Sequence, residues 1–76
     1  MADNADQIQQ RFGKNVRRIR HAAGLSQEEL ALRSGLDRSF VGQVERGERN
    51  ISLTNIYRLA TALKIEPSVL LERSPK

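Results

Sequence analysis

The chain has no cysteine, which excludes disulfides, iron-sulfur clusters and thiolate-ligated zinc, and withdraws most of the support for a metal or redox role. That lack fits a reducing cytosol. No apolar run approaches the length needed to span a bilayer, and the polar, acidic start lacks the basic flank and apolar stretch of a secretory signal. A soluble, cytoplasmic protein is therefore expected. No segment alternates apolar and polar residues with the period of a strand, and no internal repeat or low-complexity stretch occurs. Catalytic apparatus is missing as well: there is neither a G-x-S-x-G elbow nor a G-x-x-x-x-G-K phosphate loop. Glu28 and Glu29 are adjacent, so on a helix they diverge by about 100° and cannot face each other as an acid/base pair. His21 is the only histidine. No enzyme activity, metal or cofactor is expected.

What is present suits a small binding domain. A chain of 76 residues makes one domain at most and buries a modest core, which favours self-association. Thirteen Lys and Arg against nine Asp and Glu give a net charge of +4, an excess that favours an anionic partner such as nucleic acid or anionic lipid.

Ile8, Phe12, Val16, Ile19 and Ala23 recur at the spacing of one helical face, and Gly24 supplies a stop, which predicts a first helix from Gln7 to Ala23. Ser26 with Glu29 forms a capping-box pattern that opens a second helix, ended by Gly35. Asp37 caps a third, which runs to Arg46 and stops at Gly47, with Val41 and Val44 on its inner face. Ser52 caps a fourth, striped by Leu53, Ile56, Leu59, Ala60 and Leu63. Pro67 suits the first turn of a short fifth helix carrying Val69, Leu70 and Leu71. The expected architecture is an all-α, compact five-helix bundle over residues 7–72, with flexible ends at 1–6 and 73–76.

Counted from Gln27, Ala31, Gly35, Val41 and Val44 fall at the fifth, ninth, fifteenth and eighteenth positions, the spacing of a helix-turn-helix. Ala31 is small where two helices cross, and Gly35 can take positive φ at the turn between them. Arg38, Ser39, Gly42, Gln43 and Arg46 lie opposite Val41 and Val44, forming one polar face of the third helix.

Through residues 24–65, and above all through LSQEELA and VERGERN, the chain resembles the Cro/repressor-type (XRE-like) helix-turn-helix family of phage and bacterial regulators. The stretch SGLDRSFVGQVERGERNISL looks most like small stand-alone members such as the controller proteins of restriction-modification systems. That resemblance implies a lambda-repressor-like domain whose third helix enters the major groove of double-stranded DNA. Arg38, Ser39 and Gln43 are then the base readers: Arg suits guanine, Gln suits adenine, and Ser is adaptable. Gly42 would let the helix backbone approach the groove closely. Phe40 would either lie at the groove edge or flank the core. Ser26, Gln27, Arg46, Arg49 and Asn50 become candidates for phosphate contacts.

The family likeness also pairs Arg20 with Glu45 as a partly buried structural ion pair. Arg11, Lys14, Arg17 and Arg18 form a basic run read as a solvated helix face. Dimers of this family bind half-sites about one helical turn apart, and Tyr57, Val69, Leu70 and Leu71 are the candidates for a homodimer contact. The fifth helix could equally close the monomer core, with either Leu70 or Leu71 inward. The implied function is a sequence-specific transcriptional regulator without a small-molecule effector. Two other classes fit parts of the chain: an antitoxin or other protein-interaction module on the same fold, and a basic amphipathic helix lying on a membrane.

Overall fold

In the computed structural model, which describes residues 3–73, the first helix begins with a reciprocal cap. The Asn4 side chain accepts from the Gln7 amide at 2.8 Å, and the Gln7 carboxamide oxygen accepts from the Asn4 amide at 3.0 Å. Helix α1 therefore spans Ala5–Ala22, starting two residues ahead of the expected Gln7 and ending one before the expected Ala23. An apolar stripe registers burial, whereas a cap is polar and precedes it. Asp3, just outside the helix, pairs with Arg11 at 2.6 Å and with Arg73 at 3.4 Å, joining the two ends of the described chain. Arg11 is thus drawn out of the solvated basic face proposed for it. Residues 74–76 of the expected tail lie outside the described residues.

Helix α2 spans Gln27–Ser34 and α3 spans Arg38–Glu45. The Ser26–Glu29 box closes with bonds of 3.0 and 2.8 Å, and the Asp37 carboxylate accepts from the Ser39 amide at 3.1 Å. Gly35, at φ +73°, makes the turn between them in the left-handed region that favours glycine. Helix α4 spans Leu53–Leu63 and is capped by Ser52. It ends in Lys64 at φ +60°, a non-glycine left-handed stop that no composition signal marked. Helix α5, Pro67–Leu70, is a single turn.

The core collects the inward residues of all five helices. Phe12 and Val16 of α1 meet Leu30 and Ala31 of α2, Val41 and Val44 of α3, Ile56, Leu59, Ala60 and Leu63 of α4, and Leu70 of α5. Ile8 and Leu53 belong to the apolar stripes but stay exposed on the first turns of their helices. Two polar or small residues of α1 decide how the layers dock. Asn15 is fully buried, and its amide donates to the carbonyls of Leu70 at 2.9 Å and Glu72 at 2.7 Å, closing the frayed end of α5 onto α1. Gly13 lies directly against α3: a Cβ added there would come 2.3 Å from the Val44 carbonyl oxygen. Backbone touches backbone at that crossing.

Candidate nucleic-acid interface

Helix α3 is held on its inner side by a buried charge network. Arg20 Nε donates to Glu45 Oε2 at 2.6 Å and Nη2 to Oε1 at 3.0 Å, while Nη1 donates to the Leu25 carbonyl at 2.8 Å. The Gln27 amide adds a further bond to Glu45 Oε1 at 3.0 Å. Only 8% of the Arg20 side chain and 3% of the Glu45 side chain are exposed. The bidentate fork fixes orientation as well as distance. One carboxylate thus ties α1 and the first residue of α2 to the last residue of α3, so the angle at which α3 projects is set by charge geometry on the protein side.

On the other side of α3, Arg38, Ser39 and Arg46 are exposed and Gln43 is half-buried. At the start of α2, Ser26 is exposed and Gln27 half-buried, and Gln27 and Arg46 both lie beside Gly42. Of Arg38, Ser39, Gln43 and Arg46, three already have partners, Gln43 through a bond from Arg49. The Ser39 hydroxyl donates to the Asp37 carboxylate, so its own oxygen remains the group able to accept. Arg46 forks onto Glu48, with Nε at 3.0 Å and Nη2 at 3.3 Å. Both Arg46 and Glu48 are more than half exposed, and such a pair is worth little against a phosphate. Asn50 is exposed in the loop after α3.

Three expected positions change character. Gly42 is buried and does not stand open on the polar face: a Cβ there would meet Arg46 Nη1 at 3.2 Å and Gln27 Oε1 at 3.6 Å. Both neighbours are the ends of flexible side chains, and Arg46 is mostly exposed. Phe40 packs against the core as a partly buried flank, and its outer ring face is covered by the Arg49 guanidinium, 5.2 Å from the ring centre. Arg49 also donates from Nε to Gln43 Oε1 at 2.7 Å. Leu70 is removed from the subunit-contact candidates: its exposure is 0% within the protomer, where Asn15 holds its carbonyl. Leu71 points outward at 50% exposure, so the alternation left open by the sequence resolves with Leu70 inward.

The remaining subunit-contact candidates separate onto two surfaces. Tyr57 lines a groove of about 530 Å³ between α2 and α4, with Leu53, Arg33 and Arg58 at its walls. Leu71 lines a second groove, about 170 Å³, with Ile8, Phe12, Ile51 and Ile56. Val69 is half-buried. Among the described residues there is no cluster of His, Asp or Glu suited to a metal ion, and no helix long and apolar enough to cross a membrane.

The caps of both motif helices are titratable. The Ser26 backbone amide donating to Glu29 holds that carboxyl below its usual range, and the Ser39 hydroxyl and amide do the same for Asp37. A carboxyl lowered on folding adds stability above its unfolded pKa, and loses it as the pH falls through the folded value. Acidification should therefore loosen the N-termini of α2 and α3 only as the pH falls below the ordinary Glu and Asp values. Amide resonances of Ser26, Glu29 and Ser39 report this, each shifting at a pH below the ordinary value of its own carboxyl.

Comparison with known proteins places this arrangement. The family model described as "Helix-turn-helix" matches residues 16–70. Control protein C.BamHI of Bacillus amyloliquefaciens is 44% identical over 62 residues, covering 80% of this chain and 76% of that protein. Control protein C.SmaI of Serratia marcescens is 46% identical over 66 residues, covering 87% and 79%. The crystal structure of the restriction-modification controller protein C.AhdI from Aeromonas hydrophila superposes with a TM-score of 0.80 at 61% identity, covering 88% of this chain and 98% of that one. With the capped α2-turn-α3 unit, its left-handed glycine and its buried tie to α1 all inside the matched region, the chain belongs to the helix-turn-helix family.

Proposed function

We propose that this protein regulates a restriction-modification operon by binding a pseudo-palindromic operator as a homodimer. It is a sequence-specific DNA-binding transcriptional regulator of the Cro/repressor type. The observation that carries the finer role is the 61% identity to a restriction-modification controller across nearly its whole length, joined to a surface on α3 that keeps Arg38, Ser39 and Gln43 accessible. In the proposed complex these three face base edges in the major groove. Ser26, Gln27, Arg46 and Asn50 flank them and meet phosphates, which fix register without choosing sequence, whereas Arg49 is bonded to Gln43. The two-fold contact uses one of the two separate surfaces that carry Tyr57 and Leu71, both half or more exposed, with Val69 close to Leu71 in the chain. The proposed place of action is the cytoplasm, the compartment that holds the operator.

Selection of bound sequences from a random DNA pool tests this reading. A two-fold motif with half-sites about one helical turn apart is the expected product. Enrichment of no motif, together with co-purification of an equimolar partner protein, would replace it with the interaction-module reading. Within the same assay, Gln43→Ala should relax base preference at one position of each half-site. Arg46→Ala should instead weaken all sequences alike and lower the salt slope by about one, after its exposed bond to Glu48 has given way to phosphate.

A further inference from the structure

We propose that Arg49 is a positioning residue for base recognition: it sets the polarity of the Gln43 carboxamide, so that Gln43 reads as a hydrogen-bond donor and rejects cytosine. This inference rests on the reading of α3 as the recognition helix. A glutamine side chain presents an acceptor at one end and two donors at the other, and rotation by half a turn exchanges them. Left free, it could satisfy almost any base edge. A guanidinium carries donors only, so an arginine bonded to a carboxamide dictates which end faces it. Here Arg49 Nε donates to Gln43 Oε1 at 2.7 Å. Oε1 is thereby turned toward the loop after α3, and the two hydrogens on Nε2 remain for a partner.

Arg49 is itself held in place. Its guanidinium lies 5.2 Å from the centre of the Phe40 ring, an arrangement in which the cation is attracted to the ring face. Phe40 in turn packs on the core as a partly buried residue. Orientation thus passes from the core through Phe40 and Arg49 to Gln43, a path that links residues of α3 to a loop residue beyond its end. In the major groove the Nε2 donors match purine N7, guanine O6 or thymine O4, whereas cytosine offers only its N4 donor. Donor facing donor is the rejected combination.

The test compares sequence preference, salt dependence and the free protein. Wild type selected on random DNA should disfavour cytosine at the base that Gln43→Ala identifies as its own. Arg49→Ala should admit cytosine at that base, reducing discrimination by roughly tenfold. In a Gln43→Ala background the same change should leave the preference at that base unaltered. Phe40→Leu keeps the apolar character and the net charge but removes the ring face, and it should also flatten that one position while leaving the salt slope unchanged. In the free protein, the Arg49 Nε–H resonance should lose its protection from exchange in Gln43→Ala. Uniform weakening by Arg49→Ala with base preference intact, or equal effects with and without Gln43, would overturn the proposal and leave the DNA-binding reading standing. If wild type enriches no motif, both fall together.

Discussion

Replacing Glu45 by alanine should lower the unfolding free energy by about 3–5 kcal/mol, because it leaves the Arg20 guanidinium buried without its counter-charge. The side chain of Arg20 is only 8% exposed, so water cannot take the place of the lost carboxylate. Two bonds from Arg20 and one from Gln27 disappear together. For a chain of 76 residues this is a large share of the roughly 5–15 kcal/mol available to a typical domain. Urea denaturation measures it as a lower midpoint at nearly constant slope. A loss under about 1 kcal/mol would show that the pair is compensated from outside the protein. Replacing both partners with apolar residues of similar volume, as in Arg20→Met with Glu45→Leu, should recover much of the stability. The double variant would still bind DNA less well, since Gln27 loses its tether and the projection of α3 is no longer held by the fork.

The second large effect is expected at Gly13. Alanine at a helix interior is normally favoured over glycine by about 0.5–1 kcal/mol, yet here the added Cβ would stand 2.3 Å from the Val44 carbonyl oxygen and 2.9 Å from that of Glu45. Both obstacles are backbone atoms of α3, so relief requires the two helices to move apart. Overpacking of this kind costs about 1–3 kcal/mol or more, which outweighs the propensity gain. Gly13→Ala should therefore lower the melting temperature, by about 4–8 °C for each kcal/mol lost. An unchanged or raised melting temperature would contradict the close crossing. Gly42→Ala provides the contrast within the same fold. Its nearest obstacle is the far end of Arg46, which is mostly exposed and can swing away. Propensity should then prevail, and that variant should be more stable by about 0.5–1 kcal/mol.

The two glycines show why one part of the molecule was legible in the amino-acid order and another was not. Both lie inside helices, and both look alike as interruptions of a helical pattern. Gly42 falls within the helix-turn-helix segment on a polar face, and that place alone suggests a groove-approach role. Its cover by Gln27 and Arg46 depends on where α2 crosses α3, a relation between residues distant in sequence. Gly13 carried no local signal at all. Asn15 was similarly hidden, since a polar residue on α1 looks solvated until α5 is folded against it.

Legibility was high wherever the signal is local. Helices α2 and α3 are marked at both ends, by Ser26 with Glu29 and Gly35 and by Asp37 and Gly47, while Gly24 marks the end of α1 and Ser52 the start of α4. A cap bonds an amide two or three residues away, and a positive-φ glycine acts on its own backbone, so residue identity and short spacing suffice. The helix-turn-helix spacing is of the same kind, and the family likeness extended it to the Arg20–Glu45 pair. Tertiary packing alone decided that Leu70 turns inward and Leu71 outward. It also placed Phe40 under Arg49, and joined Arg49 to Gln43. Those outcomes depend on crossing angles and distances between elements far apart in the chain, which side-chain periodicity within any one helix does not encode.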